Sequence, residues 1–273
     1  KFKSYSYLPK RIYYKRFESC KIRKKVFRKG TPLFSIITVV LNGEQHLEKT
    51  IKSVLNQKEK DFEYIIIDGG STDNSVKIIK KYSKYIHYWI SEKDFGLYDA
   101  FNKGMQLAKG KYIGIINSDD LYTKDALKII SQYISRNKVD FIFGSVKKHW
   151  GVLHGYRPHK IKFSWGFYSS HSTGFFIKTQ SAKKIGLYNI KYKYHADYDY
   201  FYRMIVKKKM CGVATKKDEL VGIFGRGGFS SQIHYRKLFK EDLLIRYDNG
   251  QNIFVIAIIA IYKFFKHFKK IIK

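Results

Sequence analysis

Cysteine and proline are nearly missing from these 273 residues: there are two Cys, at positions 20 and 211, and three Pro. Two cysteines cannot build a disulfide framework or a cysteine-rich zinc site, so a reducing cytosol is the expected setting. So few prolines argue against Pro-rich disordered linkers. Acid is scarce too: 22 Asp and Glu stand against 54 Lys and Arg, a formal charge of +32. That imbalance concerns partners rather than fold, and makes nucleic acid, an anionic membrane surface and an anionic substrate the candidate partners. A base bias of the genome is the competing explanation for part of it. The basic N-terminus lacks the apolar stretch of a secretory signal, so none is expected. The most apolar run, 252–262, is shorter than the ~18–20 residues that span hydrocarbon. Neither a G-x-G-x-x-G after the first strand nor a Walker A loop is present, which argues against a dinucleotide cofactor or a P-loop.

What is present is apolar and aromatic: 44% hydrophobic residues and 17% Phe, Trp and Tyr, ample for one large α/β domain. The chain is organised around Ile113-Gly-Ile-Ile-Asn-Ser-Asp-Asp120. Its apolar half reads as a strand covered on both faces, and its polar half falls where that strand ends. Strands are likewise expected over 33–41, 62–67 and 86–91, and helices over 44–57, 74–82 and 96–108. Such alternation means βαβ units and a parallel sheet. Further on, 121–137 reads as helix, 141–146 and 174–178 as strands, and 181–185 as the start of a helix. A stronger helix is expected over 196–208, strand character over 213–224 and a flexible loop over 225–231. The stretch 149–172 shows no clear period.

Three strand ends would open onto one edge of the sheet, where open α/β folds bind ligands. They are Asn42-Gly43-Glu44, Asp68-Gly69-Gly70-Ser71-Thr72-Asp73 and Asn117-Ser118-Asp119-Asp120. The glycines permit a tight turn close to a ligand, and Asp68 can accept the imide N–H of a uracil or a ribose hydroxyl. Adjacent carboxylates at 119 and 120 repel unless a cation or proton intervenes. Oxygen ligands beside a diphosphate suit Mg²⁺ or Mn²⁺. The plainer alternative for these Asp, Ser and Thr side chains is helix capping.

Taken in order, Ile37-Thr-Val-Val-Leu-Asn42, Ile67-Asp-Gly-Gly-Ser-Thr-Asp-Asn-Ser75, Ser91-Glu-Lys-Asp-Phe-Gly-Leu-Tyr-Asp-Ala-Phe-Asn-Lys-Gly104 and Asn117-Ser-Asp-Asp120 resemble the nucleotide-sugar half of the family 2 glycosyltransferases of the GT-A fold. His195-Ala-Asp-Tyr-Asp-Tyr200 resembles that family's acidic motif before a helix, with Ala196 where Glu usually stands. His171-Ser-Thr-Gly-Phe-Phe176 and Gly227-Gly-Phe-Ser230 resemble pieces of polysaccharide-building members. The likeness spans about 33–231. It implies a GT-A domain: a Rossmann-like, mostly parallel central sheet flanked by helices, divided into a nucleotide-sugar half (33–120) and an acceptor half (121–231). A basic arm (1–32) and a helical tail (232–273) flank it.

The activity implied is inverting, metal-dependent transfer of a sugar from a nucleotide-sugar, UDP-sugar foremost, to a hydroxyl of a glycan or lipid-linked acceptor in bacterial surface polysaccharide synthesis. By the same resemblance Asp197 is the expected base, with Asp199 the alternative, and Asp120 the expected ligand of Mn²⁺ or Mg²⁺. Thr38, Leu41, Asn42, Glu44, Asp68, Gly70, Ser71, Asp94, Lys103, Asn117, Ser118 and Asp119 would line the nucleotide, Asp94 and Lys103 on its ribose and diphosphate side. Asp99, His171, His195 and Asp199 would contact the donor sugar or the acceptor. One base and in-line attack give inversion, whereas a glycoside hydrolase needs a second carboxyl group as acid.

The termini add a possible surface. The first thirty residues carry twelve Lys and Arg against one acid, Glu18. In the tail the apolar run leads into lysines at 263, 266, 269, 270 and 273. It reads as a basic amphipathic helix lying in a membrane interface, the alternative being a last helix docked on the domain. The expected location is cytoplasmic, peripheral on the inner face of the cell membrane. Two rival readings accompany this one. A nucleic-acid-binding protein suits the charge, but no such module is recognisable and nucleic acid is not an expected partner. A GT-A-like fold without catalysis is favoured by Ala196 and opposed by the intact Asp119-Asp120 pair.

Overall fold

A computed structural model describes residues 30–163, 172–225 and 234–268. Residues 1–29 of the basic arm, His171, the 227–230 motif and the lysines at 269, 270 and 273 lie outside the described residues.

The alternation of strand and helix is realised through β1 (Phe34–Val40), α1 (Leu47–Leu55), β2 (Phe62–Asp68), α2 (Ser75–Lys81), β3 (Tyr88–Ser91), α3 (Leu97–Leu107) and β4 (Tyr112–Asn117). These four strands pair in parallel in the order β3-β2-β1-β4. Side chains alternate across a strand, and successive residues here enter two different cores. Ile37, Val39, Ile65, Ile67, Ile113 and Ile115 face α3. Phe34, Ile36, Tyr64, Ile66 and Ile116 face α1 and α4 (Ala126–Arg136). Both faces are covered, which is why the strands read as unbroken apolar runs.

β9 (Phe175–Lys178) extends the sheet antiparallel to β4, and β6 (Phe141–Phe143) and β10 (Gly212–Ala214) complete its seven strands. A second sheet of four holds β5 (Leu121–Tyr122), β11 (Leu220–Ile223), β7 (Ser145–Lys148) and β8 (Gly151–Leu153).

Two expectations are corrected here. The helix expected from position 121 starts at Ala126, because Leu121 and Tyr122 pair antiparallel with β11. The strand expected over 141–146 is two strands in different sheets, broken at Gly144, where a Cβ would stand 2.6 Å from the Val221 side chain. The expected helix 196–208 is α6 (Ala196–Tyr202) continued by a π-turn (Arg203–Lys207). Before it lies α5 (Thr179–Ile185), and after β11 come α7 (Tyr235–Asp248) and α8 (Ile253–Lys266).

α3 hands over to β4 through a tight approach. The Gly110 N–H donates to Ser35 Oγ at 2.7 Å and Glu63 Oε1 at 3.1 Å. A Cβ there would meet the Phe34 carbonyl carbon at 2.5 Å and the Ser35 nitrogen at 2.6 Å, backbone atoms that cannot swing aside. Gly110→Ala is therefore expected to destabilise the fold by about 2–4 kcal/mol. Lys111→Ala, at an exposed neighbour, should change stability by less than about 0.5 kcal/mol. Urea unfolding midpoints of the two variants make the check.

Candidate active site

Parallel registry sets the edge: Val40 lies opposite Asp68, Val39 opposite Asn117, and Asp68 opposite Ser91. The loops leaving these strands clasp one another. Asn42 sits at φ +52°, a left-handed conformation that Asn tolerates better than most residues. Its N–H donates to Ser71 Oγ (2.8 Å) and its Oδ1 accepts from the Thr72 N–H (2.9 Å). Glu44 Oε2 accepts from the Asn74 N–H, and the Glu44 N–H donates to Asp73 Oδ2, both at 2.9 Å. Leu41, Asn42, Glu44 and Gly70 are exposed, and Ser71, Asn117, Ser118 and Asp119 are half-buried at this edge.

Three of the expected nucleotide contacts are placed differently. Asp68 is fully buried and accepts four hydrogen bonds, from the Gly70 and Ser71 N–H groups and the Ser71 and Ser91 hydroxyls. It is the organiser of its own turn, with no exposed oxygen for a base. Thr38 is buried in mid-strand against the Tyr64 hydroxyl at 2.9 Å. Lys103 is 1% exposed, its ammonium 2.8 Å from Glu92 and 3.6 Å from Asp99, so it does not stand at the open edge. Asp99, itself buried, also accepts from the Phe95 N–H. Asp94 remains at the edge, half-buried. Its Oδ1 accepts from the Gly96 N–H, and its Oδ2 stands 2.4 Å from where a Cβ on Gly69 would be. Burial raises the Asp94 carboxyl above its ordinary range.

The adjacent pair at the end of β4 is unequal. Asp120 is fully buried, with Oδ2 hydrogen-bonded to the Thr173 hydroxyl and Oδ1 accepting from the Gly225 N–H at 2.9 Å. Burial, and then the neighbouring charge of Asp119, push its carboxyl up to about 7. Asp119 is half-buried and its carboxylate makes no hydrogen bond among the described residues. Of the two, Asp119 is the more accessible carboxylate, and Asp120, the expected metal ligand, is buried behind it. Asn117 Oδ1 is buried beside it without a hydrogen-bond partner among the described residues, while its amide donates to Ser172 Oγ at 3.1 Å. Among the described residues no three His, Cys, Asp or Glu side chains gather to hold an ion. A half-buried carboxylate beside an amide oxygen still suits a hard cation that shares its shell with phosphate oxygens and water.

In the half expected to take the acceptor, α6 carries both candidate bases, and their surroundings differ. Asp199 is closed: Arg203 Nε donates to its Oδ2 at 2.9 Å, and the Asn249 amide donates to its Oδ1 at 2.8 Å. Arg203 also caps the Ile185 and Leu187 carbonyls, so the pair is a structural strut. Asp197 accepts at Oδ1 from the Tyr198 N–H (2.9 Å) and the Tyr98 hydroxyl (3.2 Å), while its Oδ2 makes no hydrogen bond among the described residues. The His195 side chain is largely buried, and burial holds its imidazole below the ordinary range. Tyr98 went unnoticed in the sequence. It lies on α3, which follows the donor-side loop, and stacks on Tyr188, which stacks in turn on Tyr200. Only its place within the 91–104 motif marked it, and a tyrosine inside an apolar helix face reads as core.

The raised Asp120 carboxyl gives a signed expectation. The folded protein holds this proton more tightly than the unfolded chain, whose carboxyl titrates near 3.8. Stability therefore falls as pH rises from that value through about 7, by up to about 1.4 kcal/mol per pH unit. In metal-free buffer, urea midpoints of Asp120→Asn between pH 5 and 7.5 should show a flatter slope than the wild type. Equal slopes would refute the assignment.

A protein-family model described as glycosyl transferase family 2 matches residues 35–208. An uncharacterized glycosyltransferase of Methanocaldococcus jannaschii is 29% identical over 76% of this chain and 77% of its own length. A PGL/p-HBAD biosynthesis glycosyltransferase of Mycobacterium bovis is 29% identical over 78% of this chain and 84% of its own. TuaG of Bacillus subtilis, named for teichuronic acid biosynthesis, is 35% identical over 41% of this chain and 46% of its own. Among solved structures, Staphylococcus aureus TarS 1–349 in complex with UDP-GlcNAc superposes with a TM-score of 0.66 at 17% identity, covering 86% of this chain and 72% of that one. The mannosyltransferase PcManGT of Pyrobaculum calidifontis, in complex with GDP-Man and Mn²⁺, gives 0.60 at 13% identity, covering 95% of this chain and 77% of that one. The architecture is the GT-A fold that the motifs implied. With a family model over well more than half of its length and the strand-end motifs on a single edge, the chain belongs to glycosyl transferase family 2.

Proposed function

We propose that this glycosyltransferase moves a sugar, with inversion, from a UDP-sugar to a hydroxyl of a glycan or lipid-linked acceptor in bacterial surface polysaccharide synthesis. The observation that carries this reading is the Tyr98 hydroxyl, 3.2 Å from Asp197 Oδ1. It ties the helix leaving the donor-side loop to a carboxylate whose second oxygen makes no hydrogen bond among the described residues. In this reading the helix that follows the donor-side loop also carries the contact to the proton acceptor on α6.

In this reading Leu41, Asn42, Ser71 and Asp94 border the nucleoside, and Asn117, Ser118 and Asp119 face the diphosphate. Asp119, with Asp120 behind it, would hold a divalent ion, Mn²⁺ or Mg²⁺, which would supply charge neutralisation on the departing diphosphate. Asp197 Oδ2 takes the acceptor hydroxyl's proton as its oxygen attacks the anomeric carbon from the face opposite the leaving group. The new C–O bond forms, the bond to the diphosphate breaks, and configuration inverts. Asp199 is set aside as base because Arg203 and Asn249 already hold both of its oxygens. The TarS complex with UDP-GlcNAc and the relative named for teichuronic acid synthesis support a UDP-sugar and a surface polymer.

A thermal-shift panel of nucleoside diphosphates with Mn²⁺ should give its largest stabilisation with UDP. Asp197→Asn should lower turnover about 10²–10⁴-fold while leaving the UDP shift intact. A response to no nucleoside diphosphate, or full turnover in Asp197→Asn, defeats the reading.

An anionic bilayer is the second proposed partner. α8 buries Ile256, Ile259 and Lys263 against the domain, yet Phe254, Ile258, Ile261 and Phe265, on its opposite stripe, are exposed, Phe254 by 75%. No helix among the described residues is long and apolar enough to cross a membrane. An apolar stripe on so basic a chain suits the interface of an anionic leaflet, where each nearby Lys or Arg adds about 1 kcal/mol. The double change Phe254→Glu with Phe265→Glu should weaken sedimentation with phosphatidylglycerol vesicles tenfold or more. Unchanged vesicle binding, or concentration-dependent self-association in its place, would reassign this face.

A further inference from the structure

The helix α7 lies beyond the residues that the family model matches, yet one of its side chains reaches the acceptor side of the site. Glu241 accepts three backbone hydrogen bonds, from the N–H groups of Lys193 (2.6 Å), Tyr194 (2.8 Å) and His195 (2.8 Å). These residues immediately precede α6, whose second residue is Asp197. His195, at the helix N-cap, makes no side-chain capping bond, so the anchor comes from another helix.

One peptide unit joins Glu241 to the carboxylate. The His195 N–H donates to Glu241 Oε2, and the carbonyl of the same unit, that of Tyr194, accepts from the Tyr98 hydroxyl at 3.0 Å. That hydroxyl also lies 3.2 Å from Asp197 Oδ1. It has a single hydrogen, shared between the carbonyl and the carboxylate. Rotating the 194–195 peptide would break the Glu241 bond and redirect the Tyr98 hydrogen at once.

A second grip comes from the C-cap of α7, where the Asn249 amide donates to Asp199, two residues beyond Asp197. α7 is tied down in its turn, because Asp242 is buried with Arg246 (3.1 Å) and with Lys263 of α8 (2.7 Å). The anchor therefore sits on a part of the chain held by buried ion pairs.

We propose that Glu241 is a positioning residue for transfer: by fixing the 194–195 peptide it sets how Tyr98 shares its hydrogen bond with Asp197, and so how Asp197 Oδ2 is aimed. The C-terminal helical hairpin is then part of the catalytic apparatus. This rests on Asp197 being the base.

The test uses the full chain and donor hydrolysis, in which water takes the acceptor's place. The donor is whichever of UDP-glucose, UDP-galactose and UDP-GlcNAc binds most tightly, and UDP release is measured with Mn²⁺ across pH. In Glu241→Gln, kcat should fall tenfold or more, with the UDP dissociation constant and donor KM within twofold of wild type. The acid limb of the kcat–pH profile should shift, and Glu241→Asp should recover part of the loss. Tyr98→Phe, which removes only the shared hydroxyl, should lower kcat in the same direction, and the double variant should be no worse than the worse single one, as expected of groups acting in one chain. Amide exchange at 193–199 should quicken in Glu241→Gln, a readout that needs no turnover. A folded Glu241→Gln with wild-type kcat, pH profile and exchange overturns the proposal, as does a loss confined to melting temperature. If Asp197→Asn is inactive while Glu241→Gln is unimpaired, this inference alone fails. If Asp197→Asn keeps its activity, the assignment of the base fails first.

Discussion

Because β1 hydrogen-bonds in parallel to β2 on one side and to β4 on the other, the chain leaves all three strands at the same edge. Each exit carries a polar cluster, and the parallel pairing brings Asn42, Ser71 and Asp119 to one edge. The pairing is enforced by two cores. Apolar residues on both faces of the central strands pack into one core or the other, each covered by helices. The loops then lock to one another through Asn42, Ser71, Glu44 and Asn74, so the edge is shaped before any ligand arrives.

The acids of this very basic chain fall into two groups. Asp68, Asp199 and Asp242 are buried and saturated or paired, holding turns and helices in place. Breaking such a buried pair is costly because it strands a charge in a poor dielectric. Asp94, Asp119 and the Oδ2 atom of Asp197 retain oxygens that nothing among the described residues occupies. The chemistry proposed for the site uses this second group. The surplus of tyrosine has a comparable explanation. Tyr98, Tyr188 and Tyr200 form a stacked column behind Asp197, where rings fill the core and one hydroxyl reaches the carboxylate.

The tail combines what the sequence posed as alternatives. α8 is docked through Ile256, Ile259 and Lys263, and its outer stripe of Phe and Ile is exposed. A run that is apolar all round hides which side will be covered, because the docking face is chosen by α7 and by the buried Asp242 that draws Lys263 inward.

Strands 33–41, 62–67 and 113–116 and the clusters at their ends were legible from residue order alone, because apolar runs and the turn chemistry that follows them are local properties. Locality also explains where reading failed. Gly144 looked like the middle of a strand until Val221, far along the chain, packed against it. Asp119 and Asp120 are equivalent as letters, and so are Asp197 and Asp199. Their inequality comes from Thr173, Gly225, Arg203 and Asn249, which only folding brings to them. Lys103 looked like a free cation and became half of a buried ion pair. The sequence by itself determined the parallel sheet, its polar edge and the family, since pattern and motif carry those. The tertiary structure decided which carboxylate oxygens stay open, because burial and hydrogen-bond partners are set by residues distant along the chain.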